Sequence, residues 1–116
     1  MPTLTYEQFA VVVVPFPFTD IALTKRRPAL ILSDTVAFNA LMGHSVMAMI
    51  TTATHAPWAL DVPISNLKTA GLKAPSIIRM KLFTLDHSLV LEQIGKLESE
   101  EQVKVEQALR KLFKVV

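Results

Sequence analysis

Two polar side chains with complementary chemistry stand at the ends of apolar segments. Arg27 precedes the run 28–33, and Thr51 ends the run 45–51, directly before Thr52. Pro28 favours an extended conformation for Arg27. If the two runs are neighbouring antiparallel strands, Arg27 and Thr51 converge on one point. A guanidinium and a hydroxyl suit a phosphate under attack, because the first neutralises oxyanion charge and the second donates a further hydrogen bond.

Aromatic and basic side chains accompany this pair. Phe18 and Trp58 lie in adjacent predicted loops, where they could stack on unpaired bases, as in proteins that hold single-stranded RNA. Between residues 21 and 81 the sequence has seven basic and two acidic residues, a net charge of +5 compared with +2 for the whole chain. This excess fits a polyanionic partner.

The same residues also fit ordinary structural roles. An arginine before a proline is commonly a solvated loop residue, and paired threonines at a strand end serve β-propensity and turn formation. A tryptophan next to Pro57 can be a lid on the core, and the cations can lie singly on solvated faces. On composition and spacing alone, both interpretations stay open.

Other chemistries find little support in the residue types. The sequence has no cysteine, so thiolate catalysis and a disulfide framework are excluded. His44, His55 and His87 do not have the spacing of metal ligands. The three glycines are too far apart for a phosphate-binding loop, and no G-x-S-x-G motif occurs. We therefore expect no metal and no cofactor.

The elements that position these residues are mostly strands. Six short apolar segments predict strands at 11–14, 28–33, 45–51, 59–62, 76–83 and 89–94, the third of them central. Pro15 should end the first strand, Pro63 the fourth, and Gly95 should turn the chain after the sixth. On the fifth strand, Arg79 and Lys81 share one face with Ile77 and Phe83.

The last segment predicts an amphipathic helix of about fifteen residues. It begins at Ser99, whose spacing to Gln102 is that of a capping box, with Glu100 and Glu101 in the first turn. The whole pattern indicates a mainly β fold with α additions, a small β-barrel with a C-terminal helix, in a single domain over 1–116.

The apolar content also bears on location and assembly. Apolar residues make up 51% of the sequence, but no apolar run approaches the length needed to cross a bilayer. The start has no basic segment typical of a signal peptide, so we expect a cytoplasmic protein with no membrane partner. So much apolar strand in a small body favours a homodimer, although a well-filled core would explain it equally.

Five ordered segments resemble one protein family, and together they cover nearly the whole chain. They read VVVVPFPFTD, KRRPALILS, AMITTA, AGLKAPSIIRMKLFTLD and IGKL. They resemble the MazF/PemK family, which are toxins of bacterial type II toxin–antitoxin systems. The resemblance implies an SH3-like barrel of the CcdB/MazF/PemK toxin fold and a homodimer. It also implies metal-independent, sequence-specific cleavage of single-stranded RNA, and neutralisation by a cognate antitoxin with an acidic, apolar tail.

Carried over by position, the resemblance assigns catalysis to Arg27 and Thr51. Attack by the 2′-hydroxyl of the RNA, which leaves a 2′,3′-cyclic phosphate and a 5′-hydroxyl, would need no protein nucleophile. Sequence specificity would come from loop 16–26, loop 52–58 and strand 76–81. The RNA-binding candidates in these segments are Phe18, Lys25, Arg26, Thr52, His55, Trp58, Ser76, Arg79 and Lys81.

Two departures from the family pattern leave alternatives open. Ala10 stands where the family commonly has an acidic residue before the first apolar run, and the first loop lacks a glutamate that some members carry. No general base is evident, and His55 is only a distant candidate. One alternative is a catalytically attenuated RNA-binding barrel. Another is a gyrase-poisoning toxin of the CcdB type, which would act largely through the terminal helix.

Overall fold

The chain folds around one curled antiparallel sheet, an open half-barrel, with a helix at its C-terminal end. A computed structural model describes residues 5–16 and 25–115. Within these residues the strand order is β4-β5-β3-β2-β1-β6. The strands are β1 (Ala10–Phe16), β2 (Lys25–Ile31), β3 (His44–Thr52), β4 (Val62–Ile64), β5 (Ser76–Asp86) and β6 (Glu92–Lys96). The helices are α1 (Ala40–Met42), α2 (Leu67–Ala70) and α3 (Ser99–Phe113). The mainly β fold with a C-terminal helix is thus confirmed.

The central strands are buried on both faces, as their unbroken apolar runs predict. Successive side chains of a strand point to opposite faces, so neighbours such as Val11 and Val12 belong to different clusters. One cluster joins strand residues to the helix and includes Val11, Leu30, Ala48, Ile50, Ile78, Leu97, Val105 and Ala108. The second, on the other face, includes Tyr6, Ala10, Val12, Val14, Ala29, Ile31, Met47 and Leu85.

The predicted ends of the first and fourth strands are wrong. Each strand contains its proline and continues beyond it. β1 continues past Pro15, which is paired with Arg26, to Phe16. β4 begins at Val62, later than predicted, and runs through Pro63. β4 is the outer strand of the sheet, where a missing N–H removes no bond to a further strand.

The sixth strand also differs from the prediction. It spans Glu92–Lys96, while Leu89 belongs to a 3₁₀ turn over His87–Leu89. Gly95 lies inside this strand and does not turn the chain. A Cβ atom at Gly95 would lie 2.4 Å from the carbonyl carbon of Ala70, so the absence of a side chain lets α2 approach the strand.

The start of α3 is held by a buried carboxylate and not by the predicted capping box. Glu98 is the N-cap residue and makes no side-chain capping bond. Glu101 is only 1% exposed. Its Oε2 accepts hydrogen bonds from the backbone N–H of Ser65, from Ser65 Oγ at 3.1 Å and from the Asn66 N–H at 3.2 Å. Glu101 thus attaches the helix to the segment between β4 and α2.

A bulge in β5 follows Arg79, so the register is irregular between the two cations that were predicted to share a face. Arg79 is paired with Met49 and Leu82 with Ala48, so Met80 and Lys81 have no partner in the register between them. Arg79 is 8% exposed, whereas Lys81 is exposed. The two cations therefore differ in exposure, and Arg79 offers less of its charge to solvent than Lys81 does.

Arg79 is neutralised by an ion pair with Asp61. Asp61 is the last residue of the connection between β3 and β4. The two side chains are each 10% exposed, and Arg79 Nη2 lies 3.0 Å from Asp61 Oδ2. Arg79 also donates to the carbonyl of Ala56 at 2.8 Å. Burial raises the pKa of Asp61, but hydrogen bonds from Arg79 and the Trp58 N–H, together with the charge of Arg79, outweigh it and leave the pKa below its ordinary value.

The Glu101 contacts predict a clear loss of stability on truncation. Glu101→Ala would leave the partly buried N–H groups of Ser65 and Asn66 without their charged acceptor, and we expect the free energy of unfolding to fall by about 2–4 kcal/mol. Urea unfolding measures the change. The exposed helix residue Glu106 provides the control, since Glu106→Ala should change stability by less than about 0.5 kcal/mol. Equal effects of the two variants would contradict the anchoring role.

The Asp61–Arg79 pair predicts a stability difference that depends on pH. Asp61→Asn should lower the free energy of unfolding by about 3 kcal/mol at neutral pH, because Arg79 stays buried without its partner. A lowered carboxyl pKa stabilises the fold above the ordinary value of 3.8. This contribution is lost as the pH falls through the lower pKa of the folded state. The difference between parent and variant, from urea titrations at several pH values, should therefore shrink in acid. A stability difference between parent and variant that does not change with pH would contradict the stabilising role of the ionised Asp61.

Candidate functional site

A cleft of about 160 Å³ opens where β1, β2, β3 and β5 approach the connection between β3 and β4. Its walls combine apolar residues with cations, a hydroxyl and an imidazole. The lining residues are Phe16, Arg27, Met49, Ile50, Thr51, His55, Trp58, Arg79 and Lys81. Because several strands and one connection contribute, the cleft exists only in the folded sheet.

Arg27 and Thr51 reach this cleft from adjacent strands. Ala29 is paired with Met49, and continuing that antiparallel register by two residues brings Arg27 opposite Thr51. Arg27 is an exposed residue of β2 and is paired on its other side with Val14 of β1. The two side chains that the sequence suggests for phosphate chemistry thus line the same cavity.

A tight turn after β3 brings an imidazole onto Thr51. The hydroxyl Oγ1 of Thr51 lies 2.6 Å from Nδ1 of His55. The backbone N–H of His55 donates to the carbonyl of Thr52 at 3.3 Å, which closes the turn. Thr52 Oγ1 is 3.4 Å from the same Nδ1 and 3.1 Å from Thr54 Oγ1. Thr51 is therefore the nearer hydroxyl partner of the ring.

Trp58 forms a half-exposed aromatic surface at the cleft. Its side chain is 50% exposed, and the Arg79 guanidinium carbon lies 5.0 Å from its ring centroid. The backbone N–H of Trp58 donates to Asp61 at 2.8 Å. Trp58 is thus fixed on one side by the buried ion pair, and part of its ring remains accessible.

A second cation rests on an aromatic ring at the opposite wall. The Lys81 ammonium lies 5.4 Å from the centroid of Phe16. Together with Arg27, Lys81 supplies exposed positive charge beside the neutralised Arg79. The cleft therefore suits an anionic ligand that also carries flat rings.

Several other predicted RNA-binding residues do not line the cleft. Lys25 and Arg26 lie at the start of β2, where Arg26 forms an exposed ion pair with Glu92 at 3.0 Å. Ser76 is buried, and its hydroxyl donates to the carbonyl of Ala74 at 2.8 Å. Thr52 is exposed beside the cleft residue Thr51. Phe18 and most of loop 16–26 lie outside the described residues.

Sequence reasoning included Phe16 only as the first residue of loop 16–26, and it missed the roles of Met49, Ile50 and Asp61. Asp61 carried a detectable signal, since it is the only acidic residue between Asp34 and Asp86, in a basic stretch. The apolar residues carried none, because nothing local distinguishes a cleft wall from the core. Within the described ranges, no three His, Cys, Asp or Glu residues group as metal ligands would, and no helix is long and apolar enough to cross a membrane.

Solved structures share this architecture over nearly the whole chain. A MazE–MazF structure from Deinococcus radiodurans is 22% identical, with a TM-score of 0.76 over 97% of this chain and 100% of that chain. The Mycobacterium tuberculosis toxin MazF-mt6 is 24% identical, with a TM-score of 0.73 over 92% and 98%. A mycobacterial endoribonuclease in complex with its cognate antitoxin is 15% identical, with a TM-score of 0.74 over 97% and 96%. At these identities the likeness shows the fold.

The sequence itself decides the family. No curated protein is similar enough in sequence to count as a relative. Residues 7–113, however, match the sequence model of the PemK-like, MazF-like toxins of type II toxin–antitoxin systems, a span that includes all the cleft residues. The chain therefore belongs to the PemK-like, MazF-like toxin family.

Proposed function

We propose that this toxin is a sequence-specific endoribonuclease that cuts single-stranded RNA without a metal ion. Its cytoplasmic activity would be neutralised by a cognate antitoxin. The observation that carries the proposal is the shared cleft of Arg27 and Thr51. Family membership and the mycobacterial endoribonuclease of the same fold support it.

The proposed reaction uses a nucleophile that the RNA carries. The 2′-hydroxyl oxygen forms a bond to the adjacent phosphorus, and the bond from phosphorus to the 5′-oxygen breaks. The products are a 2′,3′-cyclic phosphate and a 5′-hydroxyl. The proton lost by the 2′-hydroxyl passes to water, and water returns one to the 5′-oxygen. Arg27 would neutralise charge on the non-bridging oxygens as it develops, and the Thr51 hydroxyl would donate to one of them.

Base recognition would come from the aromatic surface beside this pair. Trp58 presents an accessible ring that Arg79 and Asp61 hold in place, and a rigid ring loses little entropy when a base stacks on it. Lys81 and Arg27 add charge for the neighbouring phosphates. Phe18, Lys25, Arg26, Thr52 and Ser76 remain predicted contributors to RNA binding.

The same charge pattern suits the proposed protein partners. An acidic, apolar antitoxin tail would be attracted by the cations of the cleft and would compete with RNA for it. A mycobacterial endoribonuclease of the same fold has been solved in complex with its cognate antitoxin. We propose a homodimer as the active form, in keeping with the prediction from sequence.

The position of Ala10 bears on the attenuated-barrel alternative. Ala10 is 2% exposed, belongs to a buried apolar cluster and is paired with Lys96. It lies at the opposite end of β1 from the cleft residue Phe16, about 20 Å away along the strand. An alanine there removes no group from the cleft, so the substitution gives no reason to expect lost catalysis.

The gyrase-poisoning alternative rests on different residues. It would depend on α3, which contributes none of the cleft residues. The Arg27–Thr51 arrangement has no part in it. DNA breakage in expressing cells without loss of RNA would favour that alternative over the nuclease.

Removing either proposed catalytic side chain should abolish RNA cleavage. We expect Arg27→Ala and Thr51→Ala each to lower the cleavage rate by about 100-fold or more, because each removes a donor to the developing oxyanion. The assay uses a long single-stranded RNA in EDTA, with mapping of the new 5′ ends. Arg110→Ala on α3 and Thr84→Ala on β5, both at exposed sites outside the cleft, are matched controls that should cut normally. Full activity in both cleft variants would refute the assignment.

The stacking role of Trp58 predicts a binding defect separate from chemistry. In an Arg27→Ala background, which keeps the RNA intact, Trp58→Ala should weaken binding about 10-fold or more, whereas Trp58→Phe should keep most of the affinity. Fluorescence anisotropy with a labelled oligonucleotide measures both. If phenylalanine and alanine weaken binding equally, an aromatic face is not what the RNA contacts.

A further inference from the structure

His55 stands in an unusual position relative to the proposed catalytic threonine. Its Nδ1 is 2.6 Å from Thr51 Oγ1, which is within hydrogen-bonding distance. Both residues line the cleft, and the His55 backbone is held by the Thr52 carbonyl. The contact joins residues four apart in a turn that directly follows β3, so a short segment of chain determines it.

A hydroxyl in this contact has two possible orientations with opposite consequences. If Nδ1 carries no proton, the Thr51 O–H must point at the ring, and the threonine offers only lone pairs to the cleft. If Nδ1 carries a proton, it donates to Oγ1, and the threonine proton is free to point into the cleft. Only the second orientation gives a donor to an anionic phosphate.

A phosphate bound in the cleft would favour that second orientation, because the anion needs a donor from Thr51 and the cations that line the cleft would hold the anion there. The groups that line the cleft with His55 are Arg27 from β2 and Arg79 and Lys81 from β5, with Asp61 already engaged by Arg79. No carboxylate among the lining residues competes for the Nδ1 proton. A bound phosphate would align a chain of donors from Nδ1–H through the Thr51 O–H to its oxygen.

We infer that His55 is a positioning residue that donates from Nδ1 to Thr51 and so commits the threonine hydroxyl to the substrate phosphate. This inference rests on the proposed nuclease function and deepens it. It adds His55 to Thr51 in the part of the site that donates a hydroxyl hydrogen bond to the phosphate. His55 acts here through a fixed proton and not by transferring one, so another group that donates from the same place should replace it.

Substitutions that separate donation from proton transfer test this inference. The side-chain amide of asparagine places an N–H near the position of Nδ1, whereas alanine leaves Thr51 free to rotate. We expect His55→Ala to lower kcat about 10-fold or more with little change in KM, and His55→Asn to restore most of the rate. In a Thr51→Val background, His55→Ala should have little further effect. His44→Ala, at the far end of β3, is the matched control and should cut normally.

Two outcomes of these assays would overturn the inference. If His55→Asn is as slow as His55→Ala, the ring does not act as a fixed donor. If His55→Ala cuts at the parental rate, the contact has no part in the reaction.

Ring NMR separates the inference from the proposed function. The His44 Nδ1 lies 2.9 Å from the Met42 carbonyl, an acceptor, so His44 provides an internal reference for a protonated Nδ1. In ¹⁵N–¹H ring spectra with a 2′-deoxy oligonucleotide bound, His55 should show the Nδ1–H signal pattern and lose it in Thr51→Val. A parent that keeps this pattern but does not cut RNA would refute the nuclease and leave the contact intact. A parent that cuts RNA while His55 Nδ1 carries no proton would refute the inference alone.

Discussion

The pairing of β2 with β3 is the constraint on which both the core and the cleft depend. The register from Ala29↔Met49 to Ile31↔Met47 places apolar side chains on both faces of the sheet. Extended by two residues, this register would set Arg27 opposite Thr51, and both side chains line the cleft. A slip by one residue would exchange the two faces of each strand and move polar groups into the core. Packing of the core fixes this register, and the register in turn determines which side chains line the cleft.

Much of the fold could be predicted because its signals are local. The apolar runs of β1, β2 and β3 and the amphipathic pattern of α3 are legible within short windows. The errors arise where the role of a residue depends on a segment that is distant in the sequence. Gly95 resembles a turn residue until α2 is packed against it, and Glu101 resembles a residue of the first helical turn until Ser65 and Asn66 approach its carboxylate.

Some features of the site could likewise be predicted from the sequence, and others could not. The meeting of Arg27 and Thr51 follows from two consecutive antiparallel strands, so the order of elements was sufficient to predict it. The burial of Arg79 was not predictable, because its partners Asp61 and the Ala56 carbonyl lie far from it in the sequence and meet it only in the folded chain. The contact between His55 and Thr51 is close in sequence, but it requires a particular turn that a run of small and polar residues does not specify.

The proline in β4 has a consequence for how copies of this chain meet. β4 is the outermost strand at one side of the sheet, and Pro63 occupies its middle residue. An unprotected outer strand invites another chain to extend the sheet, which is the first step towards fibrils. A ring nitrogen without hydrogen interrupts the ladder that such an addition needs. Pro63 therefore opposes the extension of the sheet by a second copy of the chain along this border.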